Sequence, residues 1–192
     1  MRGYQYYYYP FKTANDATLK MVREKYQQKW NAVALPPGDK LLPTLDIRAT
    51  LLVDGHSNVD SLEICARNGG TSSNPEYEVI GVADLAARLA NLPQQFVAIR
   101  MLACHGRTFA RHLAMALGTT HAGIHVGGYS KSVFHVPGMR AVTDPDGPNT
   151  TGSGLVRWFN AQGQAVQKPA RLRWNEGDQG APFEKYDPLD PT

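Results

Sequence analysis

Apolar residues in this chain fall into short blocks, separated by polar stretches rich in glycine and proline. The first block, Tyr4 to Phe11, is dense in tyrosine and predicts an opening strand. Leu19, Val22, Tyr26 and Trp30 then recur at spacings of three and four. That periodicity predicts a helix over residues 13–31, capped by Thr13 or Asn15 and stopped by Pro36-Pro37-Gly38. The run closing in Thr50-Leu51-Leu52-Val53-Asp54 predicts a buried strand over 48–54. Residues 57–77 are polar and predict a loop, most flexible from Asn68 to Pro75. Val82, Leu85, Ala86, Leu89 and Leu92 mark a helix ended by Pro93. A second apolar strand follows over 96–103, then a helix over 109–117 with Gly118 at its end, then a strand over 122–126.

Strand, helix, strand, helix, strand is the order of a parallel sheet with crossover helices. The expected class is α/β, with a mainly parallel sheet and helices on both faces. Beyond Gly127 the pattern changes. Residues 144–149 are turn-rich, and residues 155–159 and 164–167 flank Ala161-Gln162-Gly163 as a C-terminal β-hairpin. One domain over residues 1–175 is expected, with 176–192 as a flexible tail.

Composition narrows the function classes. At 192 residues with 42% hydrophobic and 19% charged, the chain can build a globular core. A formal charge of +3, with lysines and arginines scattered, gives no footprint for nucleic acid. No apolar run reaches the roughly 18 residues of a membrane span, so no membrane partner is expected. The first ten residues lack the apolar core of a signal peptide. The expected location is the cytoplasm, or outside the cell by a route needing no signal peptide. Two cysteines, Cys65 and Cys104, make no disulfide framework, which fits a reducing compartment.

The two apolar strands end alike: Asp54-Gly55-His56 closes the first, and Ala103-Cys104-His105-Gly106 the second. Carboxyl ends of parallel strands are where open α/β sheets place their chemistry. An imidazole beside a thiol takes its proton, and the thiolate is the nucleophile. Cys104 also precedes a helix, whose N–H groups and partial positive charge favour a thiolate and an oxyanion. Cys104 is therefore the candidate nucleophile and His56 its acid and base. An extended continuation of the strand would point His105 away from Cys104. Cys65, between Leu62-Glu63-Ile64 and the polar loop, reads as structural. His121 and His125 have a metal-ligand spacing on a helix, but the residues between them read as strand and no glutamate follows His121. No metal or other cofactor is expected.

These residues resemble the caspase-like cysteine peptidases, which include caspases, metacaspases, gingipains, clostripain and self-cleaving domains of bacterial toxins. In that group a histidine beside glycine ends one strand, and a cysteine after alanine ends the next. Gly55-His56 and Leu102-Ala103-Cys104-His105-Gly106 match, and the separation of 48 is close to the spacing of about 50 in caspases. Arg157-Trp158-Phe159-Asn160-Ala161-Gln162-Gly163 is similar to the closing hairpin of such modules in secreted toxins. Ser57 stands where most relatives carry glycine, and Leu102 where caspases carry glutamine. These departures point to a remote bacterial branch, a toxin or effector domain.

The resemblance implies peptide hydrolysis on a protein or peptide substrate by the Cys104–His56 dyad. The backbone N–H groups of Gly55 and Cys104 are the expected oxyanion donors, and Asp54 a possible orienting group for His56. The substrate pocket would involve Gly127, Gly128, Tyr129, Ser130 and Lys131. Asp54, Asp60 and Asp84 would make it select basic residues; Arg100, Lys131 and Arg140 would make it select acidic ones. Deamidation and transglutamination run through the same thioester and remain open alternatives, as does a binding module without activity. The oligomeric state is not legible.

Overall fold

The computed structural model describes residues 5–12, 16–30, 32–35, 40–129, 134–135, 142–143 and 156–167. The elements are β1 (Gln5–Tyr8), α1 (Ala17–Trp30), β2 (Val33–Ala34), β3 (Thr50–Asp54), β4 (Glu63–Gly70), β5 (Pro75–Gly81) and α2 (Val82–Leu89). They continue with β6 (Ala98–Leu102), α3 (Arg107–Leu117), β7 (His125–Tyr129), β8 (Phe134–His135), β9 (Val142–Thr143), β10 (Val156–Asn160) and β11 (Ala165–Val166). The main sheet runs β11-β10-β7-β6-β3-β1-β2. From β2 to β7 the neighbours are parallel; β10 is antiparallel to β7, and β11 to β10. The fold class is α/β, and the sheet is mainly parallel.

Alternation along the strands sorts side chains onto two faces. Tyr8, Leu51, Val53, Ile99, Met101, Val126 and Phe159 face the layer built by α2 and α3, through Leu85, Leu89, Phe109, Ala110 and Leu113. Tyr7, Leu52, Ala98, Leu102, Tyr129 and Trp158 face the other way, and Val22 and Tyr26 of α1 pack on that side. β3 and β6 are buried on both faces, which is why they read as continuous apolar runs.

Strand order reverses between β1 and β3. The chain steps outward from β1 to β2, then returns to place β3 on the other side of β1 and continues to β6 and β7. At such a switch point the two crossovers leave for opposite faces and open a crevice at the carboxyl ends.

Several expected boundaries shift. The first helix begins at Ala17, and its cap is Asp16: Oδ1 accepts the N–H groups of Thr18 and Leu19 at 3.0 and 3.1 Å. Thr13 and the Pro36-Pro37-Gly38 stop lie outside the described residues, as do Asn15, 144–149 and the 176–192 tail. The strand expected over 122–126 is β7, moved on to His125–Tyr129. Its two glycines hide it from strand propensity. Gly128 is there for contact: a Cβ would lie 2.4 Å from the Gly106 oxygen and 2.7 Å from the Ala110 Cβ. The C-terminal hairpin is β10–β11, with Trp158 opposite Val166.

The largest correction concerns the loop expected over 57–77. Residues from Glu63 to Gly81 form the antiparallel hairpin β4–β5, which runs directly into α2. Ile64, Ala66 and Ile80 point into the core, while Cys65, Arg67, Tyr77 and Val79 alternate outward. The outward positions, with Glu63, Asn68, Glu76 and Glu78, gave the segment its polar look.

Candidate functional site

The parallel register of β3 and β6 pairs Leu51 with Ile99, Leu52 with Arg100, Val53 with Met101 and Asp54 with Leu102. That is an offset of 48 residues, the same offset that separates His56 from Cys104. Each residue stands two positions past the end of its strand, on adjacent strands, at the carboxyl edge. Both are half-buried.

Past Asp54 the chain turns into a short antiparallel bridge. His56 N–H donates to the Cys65 carbonyl at 2.7 Å, and Cys65 N–H donates to the His56 carbonyl at 2.8 Å. Gly55 sits beneath the hairpin, where a Cβ would press on Ile64 at 3.1 Å and Phe11 at 3.3 Å. The His56 ring reaches back to α1: its Nε2 lies 2.9 Å from Asp16 Oδ2. The same oxygen accepts the Arg67 N–H at 3.0 Å. Burial pushes the Asp16 carboxyl up, but the N–H groups of Arg67 and Leu19 and the His56 ring pull it further down, and the net shift is downward. An ionised carboxylate only accepts hydrogen bonds, so His56 carries its proton on Nε2 and Nδ1 is the basic nitrogen.

Asp54 does not orient His56. Alternation along β3 turns its carboxyl to the α1 face, where Tyr7 hydroxyl donates to Oδ2 and Gly55 N–H donates to Oδ1 at 2.9 Å. Burial pushes Asp54 up to about 8, against the lowering effect of those two donors. Burial, then the Asp54 charge, pushes the Tyr7 hydroxyl far up, so Tyr7 stays a donor. The Gly55 N–H, expected to be an oxyanion donor, is engaged by Asp54.

The segment after β6 is a turn. Gly106 N–H donates to the Ala103 carbonyl at 3.2 Å, and His105 has φ of +50°. Extended alternation therefore does not govern His105, contrary to expectation. Gly106 is the N-cap of α3, so Cys104 stands just before the first turn of that helix. Thr108 in that turn donates through Oγ1 to Asp60 Oδ1 at 2.9 Å, tying it to the loop that follows His56.

Of the expected pocket residues, Gly127, Gly128 and Tyr129 are described. Gly127, Gly128 and Tyr129 are buried strand positions. Gly127 is covered by the Trp158 ring, Gly128 supports the Gly106 turn, and Tyr129 stacks with Arg100, whose guanidinium carbon is 5.5 Å from the ring centre. All three are packed within the sheet. Ser130, Lys131 and Arg140 lie outside the described residues. Asp60 and Asp84 are exposed, whereas Arg100 is buried within the sheet.

Cys65 is half-buried, and its thiol is pushed up by burial, then by the charges of Asp16 and Glu63. The His121 ring is buried, with Nε2 3.0 Å from the Leu92 carbonyl and Nδ1 2.8 Å from Thr120 Oγ1. Both its nitrogens serve the packing of the loop before β7. Among the described residues no three histidine, cysteine or carboxylate side chains gather as a metal site. Also among them, no helix is long and apolar enough to cross a membrane.

Asp16 is the residue that sequence reasoning missed. Its local signal, an aspartate just before a periodic apolar run, marks a helix cap. Nothing local marks the second role, because the partner is 40 residues away in the chain.

The fold and the edge define the class: an α/β protein with a mainly parallel sheet, bearing a cysteine and a histidine at the carboxyl ends of adjacent strands. No protein-family model matches the chain, and no curated protein sequence matches it.

Proposed function

We propose that the chain is a caspase-like cysteine peptidase, with Cys104 as nucleophile, His56 as acid and base, and Asp16 as the group that orients His56. The carrying observation is the β3–β6 register, which pairs Asp54 with Leu102, the last residues of adjacent strands, with His56 and Cys104 each two residues further on. The resemblance asks for a histidine and a cysteine ending consecutive strands of the sheet in this way. The switch point between β1 and β3 supports a crevice there.

The chemistry follows from the hydrogen bonds. Nδ1 of His56 takes the proton of Cys104, and the sulfur attacks the carbonyl carbon of the scissile amide. The imidazolium then hands that proton to the leaving amine, leaving a thioester. Water, deprotonated by the same nitrogen, hydrolyses the thioester and restores the thiol. Asp16 lowers the energy of the imidazolium in both halves. The position of Cys104 just before the first turn of α3 supports that turn as the source of oxyanion stabilisation. Acyl transfer to an amine, or to water from a glutamine side chain, would use the same steps.

The test is alkylation by iodoacetamide, read by mass spectrometry at both thiols. The proposal expects Cys104 to react first and His56→Ala to slow it. Preferential labelling of Cys65 would reject Cys104 as the nucleophile.

A further inference from the structure

We propose that the recess at the switch point between β1 and β3, lined by Tyr9, Asp16, Leu19, Lys20 and Arg23, binds a carboxylate on the leaving half of the substrate. The proposal rests on the peptidase reading and deepens it.

The recess has a volume of about 180 Å³. Sites that enclose a whole small molecule run from roughly 300 to 1,000 Å³. This one therefore suits a single side chain or a chain end. Tyr9 directly follows the last residue of β1. Asp16 caps α1, and Leu19, Lys20 and Arg23 follow it at helical spacing on one face of that helix. Leu19 is buried and supplies an apolar wall.

Charge selects the occupant. Among the described residues, neither Lys20 nor Arg23 has an ion-pair partner. The Asp16 carboxylate does not serve them. Its Oδ1 accepts the N–H groups of Thr18 and Leu19, and its Oδ2 meets the His56 ring and the Arg67 N–H. Glu24, one turn past Lys20, is exposed and does not line the recess. Burial, then the charges of Asp16, Asp54 and Glu78, pushes the Tyr9 hydroxyl up to about 12, so it adds no negative charge. Two cations facing one satisfied carboxylate favour an anion, and a carboxylate is the anion a polypeptide brings.

The sheet order sets which half of the substrate carries it. β1, β3 and β6 are successive neighbours, so the recess, His56 and Cys104 follow one another along the carboxyl edge. The acyl half stays on Cys104, and His56 protonates the leaving amine, so the leaving half runs past His56 towards the recess. Neighbouring strands lie about 4.8 Å apart, which puts the recess roughly 10 Å from Cys104. An extended chain covers that in about three residues. The carboxylate is the side chain of an acidic residue there, or the terminal carboxylate of a chain that ends there.

The experiment uses the full chain carrying Cys104→Ala and follows acetylation of Lys20 by N-hydroxysulfosuccinimide acetate. Three acetylated peptides are compared: Ala-Ala-Glu-Ala amide, Ala-Ala-Gln-Ala amide, and Ala-Ala-Ala with a free carboxyl end. A carboxylate peptide should slow Lys20 labelling about tenfold once its concentration exceeds its Kd about tenfold, and the glutamine peptide should not. Protection by the glutamate peptide assigns an acidic side chain, and protection by the free-carboxyl peptide assigns a chain end; either supports the site. Arg23→Gln should abolish the advantage of carboxylate over amide, and Arg23→Lys should keep it. Equal protection by the glutamine peptide, protection by none, or an advantage that survives Arg23→Gln would overturn the site. In the unaltered chain, acetyl-Ala-Ala-Ala chloromethyl ketone attached to Cys104 fills the acyl half alone and should leave Lys20 reactive. Loss of Lys20 labelling there would overturn the leaving-side placement. The peptidase reading fails on a different result: attachment of the ketone to Cys104 that is no slower in His56→Ala.

Discussion

Past Asp54 the chain is held by two carboxylates and a backbone bridge to β4, whereas past Leu102 a tight backbone turn leads straight into a helix packed close to β7. The first turn is fixed by Asp16 on the His56 ring, Asp54 on the Gly55 N–H, and the bridge to Cys65. These partners come from α1, β3 and β4. The second turn is fixed by the Gly106 to Ala103 hydrogen bond, a left-handed residue at His105, the start of α3, and β7 pressed close through Gly128. The histidine side therefore carries a carboxylate partner whose pKa is lowered, and the cysteine side carries a close steric contact at Gly128. For a dyad that division is sensible: a base needs a defined tautomer, and a nucleophile needs a defined position.

The comparison breaks most visibly at Gly128. Gly128→Ala places a methyl group against the Gly106 carbonyl oxygen and the Ala110 Cβ, and neither the backbone carbonyl nor the short side chain fixed on α3 can move cheaply. The expected loss is about 3 kcal/mol of stability, measured by urea unfolding. An unchanged midpoint would mean that β7 does not support the Cys104 turn.

Next is Asp54. Its folded pKa is raised above the unfolded value, so its contribution is fully present below about pH 4 and is lost as pH rises through about 8. Asp54→Asn cannot ionise, so it should flatten that decline and leave the variant about 2 kcal/mol ahead at pH 9 relative to pH 5. Urea unfolding at both pH values checks this. Asp16 has the opposite sign. Its folded pKa is lowered, so its contribution is present above the ordinary carboxylate range and is lost as pH falls below it.

Asp16→Ala removes the helix cap and the His56 partner together, at a cost of about 1.5 kcal/mol. Asp16→Asn keeps an oxygen for the cap but removes the charge on His56. The pair separates the two roles: the asparagine variant should recover most of the thermal midpoint and little of the Cys104 reactivity. Smallest of all is His105→Asn. Asparagine tolerates the left-handed region, so stability should stay within about 0.5 kcal/mol, with Cys104 alkylation unchanged. A large loss of reactivity would give His105 the role assigned to His56.

What could be read from the sequence was what periodicity and strand-end chemistry encode. β3 and β6 are short apolar runs buried on both faces, and their ends name His56 and Cys104 directly. The hairpin β4–β5 was hidden because only Ile64, Ala66 and Ile80 are buried, and Glu63, Arg67, Asn68, Glu76 and Glu78 break up its apolar pattern. β7 was misplaced because Gly127 and Gly128, which look like a loop, are the residues that allow Trp158 and Gly106 to approach. Asp54 looked like the partner of His56 because it stands two residues before it; its carboxyl is instead taken by the Tyr7 hydroxyl and the Gly55 N–H. The true partner, Asp16, is distant in the chain and close only once α1 is placed. Long-range side-chain pairs of this kind leave no local pattern.

The central claim is that His56, held by Asp16, activates Cys104. The most direct measurement is the second-order rate of iodoacetamide with Cys104 at pH 7, in the unaltered chain, His56→Ala and Asp16→Asn. The account predicts that His56→Ala slows Cys104 by about a hundredfold, that Asp16→Asn falls between the two, and that Cys65 is slow in all three. Equal Cys104 rates in the unaltered chain and His56→Ala would contradict it.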